Sequence, residues 1–190
     1  MKRLILWLTL LTLCAVLTAA PALAYWDYQM RLALMDDELP VIYGTLNQRM
    51  ATRTGPSTEY PEPGTFLSKG EEVRIISISF DVNSVPWVQV DLPYGGQYIR
   101  AYTGLKRFDG VDSDDIPREF YYNIEAKLNQ DYKPLYGPGL MYASYDYTLK
   151  AGSSVVIVDF ENGYTMCEFL SGDDQRNRVW IADDALDTVG

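Results

Sequence analysis

Apolar and polar residues along the chain alternate with a period of two, the spacing of a strand with one face buried, rather than the 3.6 of a helix. The clearest case is Trp87-Val88-Gln89-Val90-Asp91-Leu92. A β-branched, apolar-rich run from Val73 to Ile78 precedes it, entered through the turn Lys69-Gly70. Pro93-Tyr94-Gly95-Gly96 is a hairpin signal, and Tyr98 to Tyr102 supplies the return strand. Farther along, Ser154 to Phe160 forms a comparable run, Glu161-Asn162-Gly163 a tight turn and Tyr164 to Leu170 the next strand. A longer polar loop opening at Ser171-Gly172-Asp173-Asp174 leads to Val179-Trp180-Ile181-Ala182. No segment keeps a convincing helical period over ten or more residues. The pattern predicts an all-β protein, and the short, regularly spaced strands with 13% aromatic residues favour small barrels over a sandwich.

The pattern is written twice. The segment starting at Leu46 (LNQRMATRTGPSTEY) matches the one starting at Leu128 (LNQDYKPLYGPGLMY) at an offset of 82 residues. Gly55-Pro56 falls on Gly137-Pro138, Tyr60 on Tyr142, Leu67 on Leu149, Gly70 on Gly152, Val73 on Val155 and Ile75 on Ile157. Ten identities over the thirty positions from Leu46 to Ile75, concentrated at turn and core residue types, mark an internal repeat. Loop lengths then shift, and Tyr98-Ile99 returns to the same offset with Trp180-Ile181. The expected organisation is a barrel over residues 46–109, an acidic linker over 110–127 and a second barrel over 128–190. A lead-in over residues 25–45 precedes them, read as either a short helix or a strand.

Residues 1–24 read as an export signal: Lys2-Arg3, an apolar run from Leu4 to Leu17, then Ala19-Ala20-Pro21-Ala22-Leu23-Ala24 with alanine at both cleavage positions. The run falls short of the roughly 20 residues needed to span a bilayer. Cleavage after Ala24 is expected, giving a secreted or cell-surface protein whose contact with the membrane is transient. A lipoprotein reading needs a small residue before Cys14, where Leu13 stands.

Charge and composition then narrow the chemistry. The formal net charge of −10 becomes −12 once Lys2 and Arg3 leave with the signal, which argues against nucleic acid as a partner. Cys167 is then the only cysteine, so no intramolecular disulfide can form, and its apolar surroundings suggest a buried thiol in a strand. The chain contains no histidine, which excludes histidine-based hydrolases and histidine-ligated zinc sites and leaves carboxylate or lysine chemistry. Asp109 to Pro117 (DGVDSDDIP) is rich in carboxylates, yet Phe120 stands where an EF-hand loop begun at Asp109 needs a bidentate glutamate. A solvated linker with too little apolar content to pack is expected there, and no metal or cofactor.

The first copy resembles the bacterial Src-homology-3 (SH3b) family over about 60 residues. The resemblance rests on Arg53 before Gly55-Pro56, Tyr60 in the following loop, Lys69-Gly70 before Val73 and Ile75, then Trp87 and the return strand at Tyr98-Ile99. The second copy is degenerate, with Leu135 in the arginine's place and no tryptophan in its central strand. The resemblance implies tandem, small, strongly bent SH3-like barrels and an extracellular, non-catalytic role: binding peptidoglycan or presenting a surface to protein partners. Ala143-Ser144-Tyr145-Asp146-Tyr147 has the look of a polyproline-groove motif, but the repeat places it opposite Pro61 to Thr65, inside the long loop.

The candidate ligand-binding residues are Arg53, Tyr60, Trp87, Tyr94 and Tyr102, aromatics and an arginine suited to glycan or peptide ligands. Trp87 and Tyr98 are equally readable as core residues, and Arg53 and Arg100 as partners of nearby carboxylates. Two further readings stay open. One is an architectural or inhibitory accessory protein whose barrels pack together and serve a partner. The other, more remote, is a carboxylate-dependent glycoside hydrolase using two of Glu72, Glu125, Glu161 and Glu168.

Overall fold

The alternating stretches become strands, and each glycine-bearing turn between them becomes a hairpin. The computed structural model describes residues 42–172 and 174–188, so the segment expected to be an export signal and the lead-in up to residue 41 lie outside the described residues. The first half contains β1 (Ile42–Leu46), β2 (Met50–Ala51), β3 (Phe66–Leu67), β4 (Glu72–Phe80), β5 (Pro86–Tyr94), β6 (Gln97–Gly104) and β7 (Phe108–Asp109). The second contains β8 (Ile124–Leu128), β9 (Ser154–Glu161), β10 (Tyr164–Leu170), β11 (Arg176–Ala182) and β12 (Leu186–Thr188). The described residues hold only short 3-10 turns besides, at Leu105–Arg107, Ser113–Asp115 and Asp183–Ala185. Among them no helix is long and apolar enough to cross a membrane.

Two five-stranded antiparallel sheets form, in the orders β6-β5-β4-β1-β7 and β11-β10-β9-β8-β12, with β2-β3 as a small third sheet. The repeat is thus visible strand for strand. Gly95-Gly96 and Asn162-Gly163 adopt left-handed backbone conformations at the β5–β6 and β9–β10 turns, as two-residue hairpins require. Each half fills its own core along the inward positions of its strands. Leu46, Ile75, Ile78, Val88, Val90, Ile99 and Ala101 make the first, and Leu128, Val155, Ile157, Cys167, Val179 and Ile181 the second. Residues 42–190 nevertheless form one compact unit.

A register shift between Ile75 and Ser77 in β4 recurs between Ile157 and Asp159 in β9, opposite Cys167 and Met166. Such a bulge bends the strand and re-aims the side chains beyond it. In the second half this turns Val158 toward Leu135, Met166 and Trp180, a separate small cluster.

Four expectations need correction. Strand pairing leaves both large sheets open rather than closed into barrels. Isolated bridges cover their edges, Arg53 to Tyr102 and Tyr98 to Tyr142 on β6 and Leu135 to Trp180 on β11. The lead-in does not run to residue 45, because Ile42 to Thr45 already pair with β4 as part of β1. The acidic linker packs: Ile116 joins the first core, Ile78 donates to the Pro117 carbonyl and Glu119 donates back to Ile78, and β8 begins inside it at Ile124. Finally, the last strands align differently. The bridges match Tyr102, not Tyr98, with Trp180, and the bonds Asn47 N–H to Arg107 O and Asn129 N–H to Ala185 O follow the same alignment. Arg100 is therefore the counterpart of Arg178, and Tyr98 of Arg176.

Candidate functional site

That alignment exposes a seam built twice from the same parts. In the first half Arg100 on β6 stands opposite Asp91 on β5, and its Nε donates to Asp91 at 2.8 Å. In the second half Arg178 on β11 stands opposite Glu168 on β10, with Nε 3.0 Å from Glu168. Each carboxylate then receives a tyrosine hydroxyl from the other half. Tyr142 donates to Asp91 at 3.1 Å and Tyr60 to Glu168 at 2.5 Å. Each guanidinium also lies over an aromatic ring of the other half, Arg100 over Trp180 at 5.6 Å and Arg178 over Tyr102 at 5.5 Å. Contacts that reciprocate in this way define an isologous, two-fold-like interface, here within one chain.

The matched Gly-Pro turns place the two tyrosines. A Cβ on Gly55 would sit 2.3 Å from the Tyr60 ring, and one on Gly137 2.1 Å from the Tyr142 ring. Only glycine lets each ring lie flat on its own turn and aim its hydroxyl across the seam.

Both arginines are buried, so desolvation opposes their charge. For Arg100, Asp91 and Glu161 outweigh that cost; for Arg178, Tyr102, Glu119, Tyr60 and Glu168 do so, and both guanidinium groups are held well above their ordinary pKa. The third carboxylate differs in origin at the two ends. Glu161 on β9 meets Arg100, whereas Glu119 from the connecting segment meets Arg178 and the Tyr102 hydroxyl. Burial, then the Glu168 hydrogen bond, pushes the Tyr60 phenol far up, and burial with Glu119 does the same to Tyr102. Between the two clusters lies Asp159, its carboxyl raised by burial and then by Glu119 and Glu161, which the Phe160 backbone N–H and then Arg100 only partly offset.

At the Arg178 end the seam opens. A cleft of about 260 Å³ is lined by Tyr60, Phe80, Asp81, Tyr121, Glu168 and Arg176 among others. Past Tyr121 and Arg176 it runs into a groove of about 530 Å³ beside Glu125, Val156, Phe169 and Leu170. Tyr121, Phe80, Val82 and Leu170 on its rim are exposed, and Arg178 lies 5.7 Å from the centre of the Tyr60 ring and 5.9 Å from that of Tyr121. At the Arg100 end the place of Arg176 is taken by Tyr98, whose ring packs edge-on against Tyr142 at 6.5 Å.

The five residues singled out from the sequence do not converge. Tyr60 borders the cleft. Tyr102 is fully buried beneath Arg178, and Trp87 is buried in β5. Tyr94 is exposed on the β5–β6 hairpin. Arg53 is tied to Glu62 at 2.8 Å and to the Tyr60 carbonyl at 3.2 Å. Of the five, Tyr60 alone lines this cleft, to which both halves contribute. Arg176, Arg178 and Tyr121 also line the cleft and were not singled out from the sequence, and Glu168 was weighed there only as a carboxylate for hydrolysis. The signal for two of them was present, since Arg100-Asp91 and Arg178-Glu168 are repeat equivalents once the last strand is correctly placed.

Cys167 is fully buried in β10, and burial pushes its thiol far up, so it is unreactive. Of the carboxylates considered for hydrolysis, Glu161 and Glu168 are each bound to an arginine, while Glu72 and Glu125 are exposed. No protein-family model and no curated protein matches this chain.

Proposed function

We propose that this is an exported, non-catalytic binding protein, made of two SH3b-like modules that present one ligand surface jointly. The observation that carries the reading is the cleft at the Arg178 end. Its floor is a fixed network of buried charges, its rim is exposed aromatic and aliphatic side chains, and it adjoins a groove of about 530 Å³ that shares Tyr121, Glu168 and Arg176 with it. A concave site with a few convergent polar groups among apolar walls is the usual form of a binding site. The SH3b-like assignment draws on the repeated antiparallel strand order and on the long segment between the first strand and the Lys69-Gly70 turn. The ligand class is a cell-wall peptide or glycan, or an extracellular protein.

The test is retention of the chain from Tyr25 onward by purified sacculi, and separately by immobilised extracellular proteins, at low salt and at about 0.5 M, where surface attraction is screened. Retention at both salts, lost in a Phe80→Ala/Leu170→Ser variant that still folds, supports the cleft. Retention that the variant leaves intact removes it. A second reading, an accessory protein serving a partner, is favoured by another feature. Tyr122 sits between Phe120 (6.1 Å) and Phe160 (5.2 Å) as an exposed aromatic cluster. Capture of one defined protein, abolished by Phe120→Ser and indifferent to Phe80→Ala, would favour that alternative.

A further inference from the structure

We propose that the cleft receives a primary ammonium group carried on a peptide side chain of the lysine type, an assignment that rests on the binding role proposed above. The argument starts from Glu168. Its side chain is 10% exposed, and its Oε2 is satisfied twice, by the Tyr60 hydroxyl at 2.5 Å and Arg178 Nε at 3.0 Å. Its Oε1 has, among the described residues, only Arg176 Nη1 at 3.5 Å, beyond the length of a good charged hydrogen bond. A nearly buried carboxylate oxygen facing a cleft with its acceptor capacity unfilled calls for a donor, and a cation is the donor best matched to it.

The rest of the cleft agrees. Glu59 and Asp81 stand on its rim. The Asp81 carboxyl is held below its ordinary range by the backbone N–H groups of Val85 and then Asn83, so it stays ionised. Arg178, the deeper cation, is already engaged by Glu119 and Glu168 and leaves the cleft with a surplus of negative charge. Tyr121 offers a ring face to an entering ammonium, while the Phe80 ring already carries Arg118 at 5.6 Å, and the cleft volume of about 260 Å³ suits one side chain rather than a folded ligand. Arg176, half exposed at the mouth, occupies the position the ligand cation would take and can swing outward to admit it. The groove beside Phe169 and Leu170 then takes the apolar neighbours of the inserted residue.

Arg176 gives the decisive test, because its removal acts in opposite directions for a cationic and an anionic ligand. The probes are end-blocked pentapeptides with leucines flanking a central lysine, norleucine or glutamate, titrated calorimetrically into the chain from Tyr25 onward. The lysine peptide is expected to bind, with the norleucine peptide weaker by about tenfold, the loss of one charged hydrogen bond. Arg176→Gln should tighten the lysine peptide by about threefold by removing the competing cation, and Tyr121→Ala should weaken it by about fivefold through loss of a ring face. Both positions are exposed, so neither variant threatens the fold. Equal binding of lysine and norleucine, preference for glutamate, weakening by Arg176→Gln, or no binding of any of the three peptides would each overturn the ammonium assignment. Retention by sacculi or by an extracellular protein tests the binding role itself. Cleft-dependent retention together with peptide failure removes the ligand class alone, and absence of all retention removes the role.

Discussion

At one end of the seam, Arg100 is enclosed by Asp91, Glu161 and the Tyr142 hydroxyl, and Tyr98 packs over the entrance. At the other, Arg178 is enclosed by Glu168, Glu119 and the Tyr60 and Tyr102 rings, but the entrance residue is a half-exposed arginine and the site stays open. The scaffold is the same and one entrance residue differs in kind. A duplicated fold therefore does not imply a duplicated site. Reciprocal packing repeats what holds the halves together, while the outermost residue of each cluster distinguishes a closed end from an open one.

The largest effect should come from the buried cations. Arg178→Met removes the guanidinium shared by Glu119 and Glu168 and leaves Glu168 with Arg176 alone at 3.5 Å, and should cost about 3–5 kcal/mol in urea unfolding of the chain from Tyr25. Arg100→Met should cost less, about 2–3 kcal/mol, because Glu161 is a quarter exposed and can rehydrate. Equal losses would mean that the two ends are energetically equivalent. Adding Glu119→Gln and Glu168→Gln to Arg178→Met should recover part of the loss.

Next come the paired glycines, where the ends should behave alike. Gly55→Ala and Gly137→Ala each force a methyl into a tyrosine ring, and each should cost about 1–3 kcal/mol by overpacking. A marked inequality between them would break the two-fold description of the seam.

Asp159, between the ends, tests through pH the burial that raises its carboxyl. Its carboxyl is raised in the folded state, so the fold prefers the protonated form. The stability linked to that group is fully present below the ordinary aspartate pKa of about 4 and is lost as pH rises through the folded value. Asp159→Asn should accordingly raise the urea midpoint at pH 7, and the gain should fade as pH falls below about 4. A gain independent of pH would show that burial does not raise this carboxyl in the folded state.

The smallest effect concerns the connection. Gly110 and Asp112 are exposed, whereas Ile116 and the backbone of Pro117 and Glu119 are tied to the first half. A nick confined to residues 109–112 should leave stability nearly unchanged, and the two fragments should co-elute on size exclusion without denaturant. Fragments that separate would reduce the seam to a contact between independent modules.

Much of this fold could be read from residues alone. The alternation in Trp87 to Leu92 and in the run from Ser154 predicts β5 and β9 to within a residue or two, and the Gly-Pro and tyrosine matches mark the loops that meet at the seam. The register of the last strand could not be read. Matching Tyr98 with Trp180, where the fold matches Tyr102, slips the strand by an even number of residues. Such a slip keeps every side chain on its own face, so the hydrophobic pattern does not object. That slip concealed the equivalence of Arg100 with Arg178, and with it the seam. The docking of the connecting segment is equally hard to read, since it rests on Val111 and Ile116, on backbone bonds to both halves and on the buried Glu119–Arg178 pair in a stretch that is otherwise acidic.

What the sequence by itself determined is the local grammar: an all-β chain, a repeat, the positions of turns, and the absence of histidine chemistry. Those follow from side-chain period and backbone preference, which act over a few residues. The tertiary structure alone decided which charged residues are buried together. Asp91, Glu119, Tyr142 and Arg178 are far apart in the chain, and a charge is retained in the interior only when its partners arrive from elsewhere. The open end of the seam is likewise a property of both halves packed together, because its floor comes from one copy and the connecting segment and its rim partly from the other.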